Sequence, residues 1–138
     1  MTPIQIKAVQ DSFALIAPDR DHVAAIFYER LFKLDAGLGP LFTSNLAEQG
    51  HKLMSMLALV VRSLENIGGL VPVMEAMGER HHSYGVRNEH YDTVGAALLW
   101  TLETGLGAAC TAHVRESWTT AYRLISDTMM IGARRAAA

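Results

Sequence analysis

The sequence predicts an all-α chain, and three observations carry the prediction. Apolar residues recur at steps of three and four along almost all of its 138 residues, as amphipathic helices require. No convincing run of period-two alternation appears, and the turn dipeptides that join hairpin strands are missing. Glycines and prolines cut the periodic stretches into six or seven helices.

The first stripe is Ile6, Val9, Phe13 and Ile16, on a helix that ends near Pro18. Asp19 is placed to cap a second helix, with Val23, Phe27, Leu31 and Leu34 facing inward. Gly37, Gly39 and Pro40 then interrupt regular structure, and Thr43, Ser44 and Asn45 read as a polar loop. A long buried face follows, made of Leu53, Met56, Leu57, Val60, Val61, Leu64 and Ile67, and Gly68 and Gly69 stop it. The next helix tolerates Pro72 in its first turn and carries Leu70, Met74, Met77 and His81 on one side before Gly85 ends it. Asn88 is the expected cap of a helix with Val94, Leu98, Leu102 and Gly105 inward. After the Gly105–Gly107 break, Thr111 caps a last helix whose face is Val114, Trp118, Tyr122, Ile125 and Met129. Residues 1–138 form one domain, with 131–138 expected to be a frayed tail.

Composition narrows the function classes. Half the residues are hydrophobic and 19% are charged, a globular balance. The formal charge of -2 creates no field for nucleic acid or an anionic membrane. The apolar stretch Met56–Val61 is far short of the roughly 20 residues of a membrane helix. Cys110 is the only cysteine, so no internal disulfide forms, and a reducing, cytoplasmic setting is expected. Oligomeric state is expected to be a monomer or weak homodimer, with Trp100 either core or contact surface.

Six histidines are present: His22, His51, His81, His82, His90 and His113. None pairs with another at the three- to five-residue spacing of a zinc site, and no phosphate loop, nucleophile elbow or compact carboxylate pair appears. His81 stands apart because it lies four residues after Met77 and seven after Met74, on their apolar stripe, whereas His82 is turned away by about 100°. An inward histidine is commonly a core residue bonded to a backbone carbonyl. Haem iron, however, needs only one protein nitrogen, because the porphyrin supplies four. Tyr28 sits one position off the Val23–Phe27–Leu31 stripe, where a boundary residue is the ordinary reading. Gln49 stands four residues before Leu53, above the apolar seam, where a surface residue at a helix start is ordinary. Spacing alone leaves open whether the two converge as donors on a pocket.

Taken together, these residues resemble the bacterial globins related to flavohaemoglobins, including single-domain members of the Vitreoscilla type. The resemblance runs from about Thr2 to Met130. Its anchors are Phe27-Tyr28-x-x-Leu31-Phe32, Pro40-Leu41-Phe42, Lys52-Leu53-Met54, Arg80-His81-x-x-x-Gly85-Val86, His90-Tyr91-x-x-Val94-Gly95 and Trp118-x-x-Ala121-Tyr122.

The resemblance implies a globin fold of three helices over three around one haem b, held non-covalently since no Cys-x-x-Cys-His is present. His81 matches the proximal iron ligand and Phe42 the phenylalanine packed flat on the porphyrin. Tyr28 matches the distal tyrosine, Gln49 the distal glutamine and Leu53 the apolar residue over the iron. Lys52 and Arg80 would meet the haem propionates, and Leu57, Met77, Val86, Tyr91, Val94 and Leu98 would line the pocket. A phenol and an amide donating to dioxygen strengthen its binding and slow its release. The resemblance therefore implies capture of dioxygen or other diatomic gases, with nitric oxide dioxygenation as a secondary activity. A haem-based gas sensor acting through a protein partner, and a haem-free helical regulatory module, are the rival readings.

The sequence departs from the family at one point. Flavohaemoglobin-like pockets set a glutamate from the last helix against the proximal histidine, and that position falls at about Ala133, with no acid nearby. The orienting bond to His81 is then expected from a backbone carbonyl, that of Met77 being well placed, a weaker electron push. No flavin or nicotinamide domain is seen, so turnover with nitric oxide would call on a separate reductase.

Overall fold

In a computed structural model describing residues 1–42 and 45–138, α1 (Pro3–Ile16) opens on a reciprocal cap. The Gln5 amide donates to the Thr2 hydroxyl at 3.2 Å while the Thr2 amide donates to the Gln5 side chain at 3.0 Å, satisfying two otherwise orphaned donors. Thr43 and Ser44, the core of the expected polar loop, lie outside the described residues.

Five further α-helices follow among the described residues: α2 (Arg20–Leu34), α3 (Leu46–Arg62), α4 (Val71–Ser83), α5 (Asn88–Leu106) and α6 (Ala112–Ala137). Short 3₁₀ turns cover Ala17–Asp19, Ala36–Leu41, Leu64–Leu70 and Gly107–Ala109, and no strand is formed among the described residues. Helices α1, α3 and α4 form one layer, and α2, α5 and α6 the other. Across the layers α4 lies along α6, α1 on α6 and α2 on α3, while α2 and α5 pack within theirs. This is the expected three-over-three arrangement.

The core is built from the predicted stripes: Val9, Phe13 and Ile16 from α1, Val23, Phe27 and Leu31 from α2, Val60 and Val61 from α3, Leu98 and Leu102 from α5, and Trp118 from α6. Trp118 donates its indole N–H to the Ser12 hydroxyl at 2.8 Å, and that hydroxyl donates to the Ala8 carbonyl at 2.6 Å. The pair ties α1 to α6 and leaves no buried polar atom of the indole unpaired.

Several boundaries differ from the sequence reading, each for a physical reason. Leu34 closes α2 at the surface and is 42% exposed, so the inward stripe ends at Leu31. Asp19 stands at the N-cap of α2 without a side-chain bond, because the preceding 3₁₀ turn runs directly into the helix. The α3 face stops at Arg62 rather than Ile67: Asn66 has φ -140°, and the chain bends by 113° between α3 and the segment Leu64–Ser83. Asn88 is the first helical residue of α5 rather than its cap. The Arg87 amide donates instead to the buried His90 Nδ1 at 2.9 Å. Gly105 lies exposed inside α5, and the break comes at Gly107, whose φ of 55° suits a residue without a Cβ. The expected cap at Thr111 is present, its hydroxyl accepting from the Val114 amide at 3.2 Å.

The segment from Ile131, expected to fray, is helical through Ala137 with Gly132 and Ala133 buried. The reason is close packing of α6 on α4. A Cβ on Gly78 would run into the Met129 carbonyl, and one on Gly132 into the Glu75 carbonyl. Arg135 reinforces the contact through an ion pair to Glu75 at 2.6 Å.

Candidate functional site

His81 occupies the last turn of α4, a half-buried position one turn beyond Met77. Its Nδ1 lies 2.7 Å from the Met77 carbonyl. A carbonyl only accepts, so Nδ1 carries the proton, and the neutral ring then presents an Nε2 lone pair. Burial lowers the imidazole below its ordinary value. The Met77 bond opposes that shift and the Arg80 guanidinium adds to it. The net direction favours the neutral form that a metal requires.

Helix α2 carries Tyr28, whose residue is 7% exposed. Its ring meets Phe27 at 5.1 Å and Phe42 at 5.4 Å, both edge-on, and stacks on Phe32 at 6.1 Å. Burial pushes the phenol up to about 12, so it stays protonated and a donor. No hydrogen bond to its hydroxyl forms among the described residues. Phe42 is set by the turn before it: Asp35 accepts from the Gly37 amide at 3.0 Å, and the Phe42 amide closes onto the Gly39 carbonyl at 3.1 Å.

Helix α3 begins at Asn45, whose side chain accepts from the Ala47 and Glu48 amides at 2.7 and 3.4 Å. That cap places half-buried Gln49 one turn in, with Leu53 and Leu57 following at four-residue steps, both packed on the core. The neighbouring His51 is exposed and pairs with Asp21 at 3.2 Å, so it points away. Lys52 and Arg80 are exposed, and neither forms an ion pair among the described residues. Val94 is half-buried and Leu98 buried on α5.

Tyr91 belongs to a second apolar cluster behind His81, with Met74 and Met129, against which Met77 and Val86 pack. The sequence reading missed Tyr122 as a support for this wall: its hydroxyl donates to the Tyr91 carbonyl at 2.5 Å. Its place on the Trp118 stripe marked it as inward but gave no sign of a bond. Among the described residues no carboxylate pairs with His81. Ala133 is buried on α6, and the Glu75 carboxylate is engaged by Arg135.

The group the resemblance implies, haem, fits this residue set. Phe42, Leu53, Leu57, Met77, Val86 and Val94 are apolar and inward-facing yet only half-buried, as walls of an apolar crevice are. The Tyr91 hydroxyl is fully buried without a partner, an orphan beside that crevice. One neutral imidazole is the donor set that haem needs. Two surface hollows, of about 510 and 630 Å³, lie elsewhere; of the site residues only Val86 borders one of them, and they do not define the site.

Comparison with known proteins identifies the family and the fold. The globin family model matches residues 25–129. A flavohemoprotein of Bordetella parapertussis is 34% identical over 113 residues, which cover 80% of this chain and 28% of that protein. The chain thus spans about a third or less of the length of the flavohemoproteins it matches. In structure it is similar to a bacterial globin from Campylobacter jejuni, with a TM-score of 0.84, 22% identity and 97% of each chain covered. It is also similar to an engineered carbene transferase built on a candidate nitric oxide dioxygenase from Rhodothermus marinus, with a TM-score of 0.89, 23% identity, and 99% and 96% covered. These two likenesses speak for the fold. With its six helices in three-over-three layers and the family match over most of its length, the chain belongs to the globin family.

Proposed function

We propose that the protein binds haem b on His81 and captures dioxygen reversibly and tightly through Tyr28 and Gln49. The observation that carries the reading is Tyr28, a buried residue packed against three phenylalanine rings and held protonated, whose hydroxyl makes no hydrogen bond among the described residues. A protonated phenol can donate a hydrogen bond to a ligand in the pocket. A ligand that accepts from it is stabilised, which favours an electronegative diatomic gas over an apolar one.

When bound, haem supplies the iron that takes up the gas. The chain's own residues do the rest. His81, held by Met77, presents Nε2 in a fixed orientation. Phe42 and Leu53 exclude water from the pocket, and Lys52 and Arg80, exposed and in no ion pair among the described residues, would meet propionates at its rim. Gln49 adds an amide donor one turn above Leu53. A site held by two donors releases its ligand slowly, which suits capture better than delivery. Nitric oxide dioxygenation is the secondary activity: nitric oxide, dioxygen and one electron give nitrate, and a reductase supplies the electron.

Stopped-flow displacement of dioxygen tests the assignment. Tyr28→Phe removes the donor and keeps the ring, and the dissociation rate should rise tenfold or more, a loss of about 1.4 kcal/mol per decade. A rate equal to that of the unmodified protein removes Tyr28 from the site.

A further inference from the structure

Helices α4 and α6 meet backbone to backbone, and the contact is reciprocal. A Cβ on Gly78 would strike the Met129 carbonyl, and one on Gly132 the Glu75 carbonyl. In both cases the obstacle is main chain, which cannot swing aside as a side-chain tip does. Both glycines are buried. At such separations weak Cα–H···O contacts and dispersion replace side-chain interdigitation, and helices so packed move as one body.

The pinned stretch of α4 is also the stretch that holds His81 from behind. Met77, next to Gly78, accepts the Nδ1 proton at 2.7 Å, so the ring is tied to the helix that carries it. His81 lies about one turn further on. At the other end of the contact, Glu75 is held by Arg135, its side chain only 16% exposed. Among the described residues no carboxylate pairs with the imidazole, which leaves its placement as the lever available to the protein.

We propose that Gly78 and Gly132 are positioning residues that set the depth and tilt of His81, and through it the strength of the bond between the imidazole and haem iron. The proposal rests on His81 being the haem ligand. A methyl group at either glycine pushes α4 off α6, and because Nδ1 is anchored to Met77 the displacement passes to Nε2 rather than being absorbed by rotation of the ring.

The test is the iron–histidine stretch in the resonance Raman spectrum of the ferrous, ligand-free holoprotein. Gly132→Ala should displace or broaden this band and change dioxygen dissociation severalfold with Tyr28 intact. Ser12→Ala, which loses the Trp118 bond far from α4, should lower the melting temperature and leave the band in place. An unmoved band in Gly132→Ala that folds and binds haem overturns the proposal. Should that variant fail to fold, His81→Gly supplied with free imidazole carries the test, since its axial ligand is detached from α4. The unmodified protein must then show a frequency different from the detached ligand, and equal frequencies overturn the proposal. A wild-type band persisting in His81→Gly without imidazole instead removes His81 as the ligand, a failure of the underlying reading that is distinct from failure of the glycine contact.

Discussion

The ring of Tyr28 meets that of Phe42 edge to face with 5.4 Å between centroids, although a helix end and a 3₁₀ turn separate them in the chain. Phe42 also meets Phe32 edge-on at 5.4 Å, so the rings of Tyr28, Phe32 and Phe42 brace one another. Such pairs contribute about 0.5–1.5 kcal/mol each beyond area burial. The arrangement fixes where the hydroxyl sits and keeps it protonated.

That protonation has a consequence at high pH. The folded phenol of Tyr28 is raised to about 12, against about 10 unfolded. Between those values the folded state holds a proton that the unfolded state has released, so stability falls as pH rises. The contribution is complete below about pH 10 and lost toward pH 12. Tyr91 and Tyr122 are raised by burial and act in the same direction. Melting temperature against pH should decline over this window, and Tyr28→Phe should flatten part of the decline. Simultaneous ionisation of all four tyrosines near pH 10 in the folded protein, read by ultraviolet absorbance, would contradict the account.

The Asn45 cap should matter for the site as well as for stability. Its side chain accepts from two amides at the start of α3, one turn before Gln49. Asn45→Ala should cost about 1 kcal/mol of stability and let the first turn fray, which weakens the Gln49 donor. Dioxygen dissociation should quicken less than in Tyr28→Phe. A loss of stability with no change in dissociation would mean that Gln49 does not reach the ligand.

Phe42 is half-buried against the core, so Phe42→Ala should cost less than the roughly 3–5 kcal/mol of a fully buried ring. Its larger effect should fall on haem retention. Transfer of haem to an excess of apomyoglobin, followed by absorbance, should be at least tenfold faster than in the unmodified protein. Equal transfer rates would place Phe42 in the core alone.

Much of this was legible in the sequence because the core is written in stripes. Val9, Phe13, Phe27, Leu31 and Trp118 fell inward as their spacing required, and His81 was singled out by sharing a face with Met74 and Met77. The bond to Met77 was within reach because residues four apart on a helix are neighbours. Other features left no trace. The end of α3 was hidden because a 3₁₀ turn repeats every three residues and keeps Leu64 and Ile67 in step with the α-helical pattern. His90 did not announce itself as a cap, since capping is ordinarily read from short polar side chains. Gly78 and Gly132 were least visible of all. In a sequence an isolated glycine on a helix lowers helical propensity, and only the approach of α6 to α4 shows why a Cβ is excluded at each.

The central claim is that His81 holds haem which takes up a gas, and absorption spectra test it most directly. Purified protein and the His81→Ala variant should be recorded as ferric, dithionite-reduced, oxygenated and carbonmonoxy forms. The account predicts a strong Soret band that shifts with each state and is lost or changed in the variant. A protein that stays colourless after haem is supplied, or a variant whose spectra match the unmodified protein in every state, would contradict it.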